Sequence, residues 1–458
     1  GMRARSYIEQ GYTVEIYLDN LHRDLEMIEN GYRVRDSSHL HDKSCDIFEG
    51  DITKFRNIRI NNSSVRIINN SECNRSMDFV FYVGQSVECW NPVTACANGI
   101  GGSETAVIEM SKRLASGGHK VRVYGDCIRG NTNLEGIFDG VVYEHHTKFG
   151  AHISCDIFVT SRKPEILDVG FKSEANYLWV HDIHCGHTMT YGRSLRLDGI
   201  FTLSDWHRNT FVNQYPHIDP DIVLVTRNGI DISRFVGKNL DRNHHRAIYS
   251  SSPDRGVEVA VRCWPRVREA MPDAELHIFY GFDNWENTAT DPNQLALIAT
   301  LKELIKNHEE HGVIYHGRTD QETLANAMLS SGVWAYPSWF AETSCISAME
   351  AQAAGLRVVS SSLAALNETV GSRGILIAGD WLSAEYQNAW VKSVIDSMRN
   401  PPCEDDRNEI SQYVKKHNDW SKICNEWIEL FTERLNYKMS LNVFIQKYKP
   451  VLKLKSVA

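Results

Sequence analysis

The chain is predicted to fold as α/β, with two doubly wound Rossmann-like domains in series behind an N-terminal α/β extension. Three observations carry this. Apolar, β-branched runs alternate with amphipathic helical runs from residue 76 to about residue 435, the pattern of parallel sheets covered by helices. A strand over 77–84 ends in Gly84, as the opening strand of a nucleotide-binding α/β domain does. The alternation breaks once, at the turn Arg227-Asn228-Gly229-Ile230-Asp231 and the polar stretch 237–246, then restarts at Ala247-Ile248-Tyr249. The boundaries are therefore 1–75 for the extension, 76–230 for the first domain, 231–435 for the second and 436–458 for a basic tail.

After the first strand a long loop leads to Ile100-Gly101-Gly102-Ser103-Glu104, a helix over 104–116, a Gly117-Gly118 stop and a strand over 120–124. Further strands are expected at 155–160, 175–180, 199–203 and 222–225. In the second domain helices over 256–270, 293–306 and 321–330 separate strands over 275–279, 313–316 and 333–336. A glutamate-bearing helix and a strand over 356–360 follow, with closing helices near 384–398 and 420–435. The extension echoes the first domain. Gly11-Tyr12-Thr13-Val14-Glu15-Ile16-Tyr17 parallels Gly118-His119-Lys120-Val121-Arg122-Val123-Tyr124, and Ser44-Cys45-Asp46-Ile47-Phe48 recurs as Ser154-Cys155-Asp156-Ile157-Phe158. One reading is part of an extra α/β unit cut off at its amino end; the other is convergence of unrelated strands. The tail from Asn436 carries five lysines and no acid and reads as a solvated segment, with peripheral membrane or partner contact the less favoured reading.

A net charge of -9 gives no electrostatic reason to expect nucleic acid. No run approaches twenty apolar residues and no signal-peptide pattern opens the chain, so a cytoplasmic location is the expectation. Eleven cysteines without a repeated Cys-x-x-Cys spacing read as reduced thiols. No Gly-x-Gly-x-x-Gly follows the first strand, which argues against a dinucleotide-dependent dehydrogenase.

The most informative stretch runs from Trp339 to Gly355. Glu342 and Glu350 stand eight residues apart where a strand passes into an Ala-rich helix, with Thr343 or Ser344 expected as N-cap. On a continuous helix the two carboxylates lie roughly 12 Å apart along the axis. That is the span from a hexose to the ribose of a nucleotide sugar. The unpaired amides of Thr343, Ser344, Cys345 and Ile346 form a positive helix end suited to a diphosphate.

This Glu-x7-Glu run resembles the signature of the retaining, GT-B-fold glycosyltransferases of family four, and the resemblance covers residues 77 to about 430. It implies two Rossmann-like domains facing across a cleft, the first for the acceptor and the second for the nucleotide-sugar donor, with the last helices crossing back to the first domain. It further implies that Glu342 and the following amides hold the donor sugar and that Glu350 holds the ribose. Gly101-Gly102 before Glu104 is similar to the family's Gly-Gly-x-Glu loop, where absent side chains let backbone approach a ligand and Ser103 can cap the helix. His181, after a first-domain strand, matches the family's active-site histidine; a satisfied structural histidine is the competing reading.

Arg255, in Pro253-Asp254-Arg255-Gly256, offers a planar guanidinium to a diphosphate, and a surface arginine at a turn carries equal weight from the residues alone. The family commonly has lysine at the place of Arg255 and an arginine about five residues earlier. Here the earlier place holds Ser250, and Arg246 or Arg318 is the candidate substitute. His181, His184, Cys185 and His187 lack the second ligand cluster that a zinc site needs, so no metal is expected. Trp339 and Tyr315 are weighed as neighbours of the base, with core packing favoured for both.

These readings converge on a glycosyltransferase that needs no cofactor and moves a sugar from a nucleoside-diphosphate sugar to a hydroxyl of a glycan, lipid or small molecule. His181, Glu342 and Arg255 are its expected catalytic residues. Gly101, Gly102, Thr343, Ser344, Cys345, Ile346 and Glu350 are the expected donor-binding ones. A sugar-nucleotide epimerase or hydrolase on the same fold, and an inactive glycan-binding or interaction protein, are the alternatives.

Overall fold

The computed structural model describes residues 75–448, residue 239 excepted. The expectations for residues 1–74, the echo included, lie outside the described residues. The first domain contains β1 (Asp78–Tyr82), α1 (Pro92–Asn98), α2 (Gly102–Ser116), β2 (Lys120–Gly125) and the hairpin β3–β4 (Ile128–Arg129, Thr132–Asn133). It continues through β5 (Gly136–Phe138), β6 (Val141–His145), β7 (Ser154–Ser161), β8 (Lys172–Trp179), β9 (Gly199–Thr202), α3 (Asp205–Gln214) and β10 (Val223–Val225). Its sheet has the order β10-β9-β8-β7-β1-β2-β6-β5, parallel throughout except for β5 against β6. Strands β5 and β6 were not expected, because this edge pair is short, Gly-Ile-Phe and Val-Val-Tyr-Glu-His, and lacks the longer continuous apolar run of a central strand.

The second domain contains β11 (Asn243–Tyr249), α4 (Val257–Ala270), β12 (Glu275–Phe279), β13 (Val313–Gly317), β14 (Ser331–Tyr336), α5 (Ile346–Ala353), β15 (Arg357–Ser361) and β16 (Ile375–Ile377). Its six parallel strands take the order β13-β12-β11-β14-β15-β16. Every residue of β14 is buried, as expected of a central strand covered on both faces.

The helices follow from apolar spacing. In α2, Ser103, Ala106, Val107, Met110, Ser111 and Leu114 make one buried stripe at three- and four-residue intervals, and Gly117 closes the helix by donating to the carbonyls of Arg113 and Ala115. Helix α6 (Glu404–His417) was missed by the sequence reading, although it has an acidic first turn, Glu404-Asp405-Asp406, and a basic last one, Lys415-Lys416-His417.

Helix α7 (Trp420–Tyr448) follows the second domain in sequence and packs into the core of the first. Trp420, Ile423, Cys424, Trp427 and Phe431 form its buried stripe, with the Trp427 ring 4.4 Å from Phe201 and 4.6 Å from Trp179. Burying each such side chain is worth about 2 kcal/mol, so the crossing is held by core packing. The expected tail boundary at residue 436 is corrected, since the helix continues to Tyr448 and Lys438 reaches Asp198 at 2.7 Å.

Candidate active site

Leaving aside the antiparallel β5, each sheet reverses its strand order once, between β1 and β7 in the first domain and between β11 and β14 in the second. Ligands of open α/β sheets lie outside the carboxyl ends of the strands at such points. The segments that leave these four strands carry Gly101 and Gly102, Arg162, Arg255, and Glu342.

Glu342 is 7% exposed and is held from three sides. Tyr336 Oη donates to its Oε1 at 2.7 Å, Arg255 Nη1 donates to Oε1 at 3.0 Å and Oε2 at 3.3 Å, and the Glu342 carbonyl accepts from the Ala365 amide. The Arg255 guanidinium lies 4.1 Å from the centre of the Phe340 ring. Burial pulls the Arg255 pKa down, but Glu342, Tyr336 and Asp254 together hold it above its ordinary value. Its Nε is buried without an acceptor among the described residues.

The N-cap expectation is corrected. Helix α5 opens at Ile346 behind Cys345, whose backbone is left-handed at φ 69° and ψ 79°. Ser and Thr cap with extended backbone, whereas this turn needs a positive φ, and the Thr343 hydroxyl is spent elsewhere. Glu342 therefore stands on irregular chain four residues ahead of the helix, so the axial separation calculated for a continuous helix does not apply. The amides of residues 343 to 347 donate to no protein acceptor among the described residues, and the Ser344 hydroxyl is buried without a partner. Successive free amides at the start of a helix are groups of the kind that can bind an anion.

Glu350 is 5% exposed and accepts from Arg234 Nη2 at 2.9 Å. Arg234 also donates to Gln321 Oε1 at 2.5 Å. The sequence reading missed Arg234, which sits in a short 3-10 turn (Ile232–Phe235) with no motif around it. Removing one partner of a buried pair strands the other charge. The Arg234→Met variant is expected to lose about 3 kcal/mol in urea denaturation, and the R234M/E350M double variant should lose less than the two single losses added. Strict additivity would show that the pair is not coupled.

On the opposite wall, Gly101 is the N-cap of α2 and Ser103 lies inside the helix, where its hydroxyl donates to Glu104 Oε2 at 2.8 Å. Ser103 is therefore not the cap. A Cβ on Gly102 would lie 3.5 Å from Ile346 Cδ1, so this glycine turn and the amino end of α5 approach directly. The His181 ring packs on Trp179 at 4.6 Å and its Nε2 is enclosed without a partner among the described residues. Burial first, and the nearby Arg162 charge second, push the His181 pKa down to about 3, so the imidazole is neutral near pH 7.

Hydrogen bonds join the two walls. Thr343 Oγ1 donates to the His181 carbonyl at 2.9 Å, and Ser204 Oγ donates to the Thr343 carbonyl at 2.9 Å. The Glu368 carboxylate accepts from the Asp205 and Trp206 amides at the start of α3. Arg318 donates to both oxygens of Glu88, at 3.0 and 2.6 Å, and to the Gly99 carbonyl.

That last contact bears on the missing cation. Arg318 is committed to the first domain, and Arg246 pairs with Glu275 at the amino end of β12, away from the strand ends that carry the site. Ser250 is also committed, its hydroxyl accepting from Trp334 Nε1 at 3.0 Å. Neither of the suggested substitutes stands free beside Arg255. Trp339 and Tyr315 are surface residues, 42% and 39% exposed, so core packing is corrected for both; Trp339 stacks on Trp381 at 6.0 Å. Among the described residues no three His, Cys, Asp or Glu side chains are grouped as metal ligands.

Residues 247–396 match the family model described as glycosyl transferases group 1. The fold is shared with solved glycosyltransferase structures at low identity. A sucrose-phosphate synthase from Thermosynechococcus elongatus has a TM-score of 0.60 at 15% identity, covering 78% of this chain and 98% of that one. Anabaena HepE, solved with UDP and glucose, has a TM-score of 0.56 at 15% identity, covering 78% and 100%. The catalytic domain of Starch Synthase IV from Arabidopsis thaliana, bound to ADP and acarbose, has a TM-score of 0.55 at 13% identity, covering 79% and 100%. No curated protein matches the sequence. The fold is GT-B, and its second domain carries a glycosyltransferase-type sequence.

Proposed function

We propose that the protein is a retaining glycosyltransferase, similar to those of family four, that moves a sugar from a nucleoside-diphosphate sugar to a hydroxyl acceptor. The observation that carries this is the set of polar groups without protein partners around one loop: the amides of residues 343 to 347, the Ser344 hydroxyl and Arg255 Nε. Unmet donors are expensive where they are buried, as the Ser344 hydroxyl and Arg255 Nε are, and together with the free amides they suit a diphosphate. Glu342 holds hydroxyls of the donor sugar, and Glu350, set by Arg234, holds those of the ribose. His181 lines the sugar subsite as a neutral imidazole.

In the reaction the acceptor oxygen bonds to the anomeric carbon as its bond to the diphosphate oxygen breaks. The acceptor proton passes to an oxygen of the departing diphosphate. Arg255 and the loop amides stabilise the charge that develops there, and orientation by the two walls supplies the remainder of the rate. Ser250 in place of a second cation favours one other reading, a protein that binds a nucleotide sugar without turning it over.

Thermal melting with UDP-, GDP- and ADP-sugars tests the binding. At about a hundredfold excess over Kd a ligand adds about 2.7 kcal/mol to stability. One nucleotide class is expected to raise Tm in the wild type and not in Glu350→Ala. A folded protein that responds to none of the three loses the nucleotide-sugar assignment. Binding without transfer across glycan, lipid and small-molecule hydroxyls selects the inert reading, and an NMR spectrum of the first-formed product tests retention.

A further inference from the structure

Arg162 leaves the end of β7, at the point where the first sheet reverses its order, and its backbone is left-handed at φ 68°. That conformation favours glycine, and a long side chain kept there marks a position where the side chain is needed. The guanidinium joins two segments far apart in sequence. Nε and Nη2 donate to the two oxygens of Asp182 at 2.7 and 2.6 Å, and Nη1 donates to Ser103 Oγ at 2.9 Å. Its second acidic neighbour, Glu104, lies 4.0 Å away and accepts from Ser103 and Ser86. The Arg162 amide donates to the Trp179 carbonyl, which fixes the base of this fork to β8.

The two joined segments are those that touch the glutamate loop. Ser103 follows Gly102, which faces Ile346, and Asp182 follows His181, whose carbonyl receives the Thr343 hydroxyl. We infer that Arg162 is a positioning residue for the proposed transfer, a planar fork that fixes the glycine turn relative to the His181 loop and so presets the wall facing the donor. The inference rests on the function proposed above. A bidentate guanidinium suits the task because it fixes direction as well as distance, which an ammonium on a flexible stem does not.

The substitution Arg162→Gly separates this role from a structural one, because left-handed backbone accepts glycine without strain. With the nucleotide chosen by the melting screen, R162G is expected to keep Tm within about 2 °C and nucleotide Kd within about threefold of wild type. Its kcat should fall about a hundredfold with little change in donor KM, since misplacement of a reacting group acts on the transition state. R162K should recover less than a tenth of the lost rate. Asp182→Asn should lower kcat in the same way, with R162G/D182N no worse than R162G. A kcat for R162G within threefold of wild type overturns the inference, as does a loss of nucleotide binding equal to the loss of rate. A wild-type protein that binds nucleotide but transfers to no acceptor overturns the proposed function itself, and this inference with it.

Discussion

Glu342→Gln is expected to reduce transfer at least a hundredfold while nucleotide binding changes only a few-fold. The substitution keeps the shape of the side chain and an oxygen that can accept from Tyr336, which stands 2.7 Å from Oε1. It removes the charge that pairs with Arg255 at 3.0 Å and the second strong acceptor for a sugar hydroxyl. The nucleotide end is held by other groups, the amides of residues 343 to 347 and Glu350, and these stay in place. Loss of one fixed contact to the reacting sugar costs about 10²-fold in rate through misorientation alone, and Glu342→Ala, which also frees Tyr336, should leave no measurable transfer. Measuring kcat, donor KM and nucleotide Kd on the same preparation checks this. Wild-type turnover in either variant would place the donor sugar elsewhere in the protein.

The contrast between Glu342 and its neighbours shows what was legible in the sequence. The alternation of strands and helices was readable because central parallel strands such as β14 are buried on both faces and so carry an unbroken apolar signature. The two glutamates were readable because their spacing and the strand before them are local. The start of α5 was not, since the residue that begins it is a cysteine with left-handed backbone, and residue type points to the hydroxyl residues before it. Arg234 and Arg162 were not readable as site residues either, and Arg318, weighed from the sequence only as a substitute phosphate cation, gave no sign of its pairing with Glu88. Their partners lie across long loops, Arg318 with Glu88 and Arg162 with Ser103 and Asp182, and a lone arginine after a strand has no spacing that announces a distant carboxylate. Local pattern thus pointed to the Glu342 loop, to Gly101-Gly102 and to His181, while the pairings that hold these segments against one another are created only by the fold.

The same distinction predicts which glycine is indispensable. Gly256 separates Arg255 from α4 with φ at 121°, and a Cβ there would lie 2.3 Å from the Pro337 carbonyl oxygen and 2.9 Å from its carbon. Both obstacles are backbone, so no rotamer change relieves the contact. The two segments in collision are those leaving β11 and β14, which bring Arg255 to Glu342. Gly256→Ala is therefore expected to cost roughly 3 kcal/mol or more through overpacking added to left-handed strain, and to displace Arg255 in the molecules that fold, so that transfer is lost in excess of the folded fraction. Gly118→Ala is the control, because Gly118 has φ at 86° and a Cβ there would meet nothing within 4 Å, so that only the strain of about 1 kcal/mol remains. Urea denaturation of the two variants, followed by transfer assays normalised to folded protein, measures both effects. Equal stability of G256A and G118A would mean that the segments leaving β11 and β14 are not packed against each other in solution, and the pairing of Arg255 with Glu342 would lose its support.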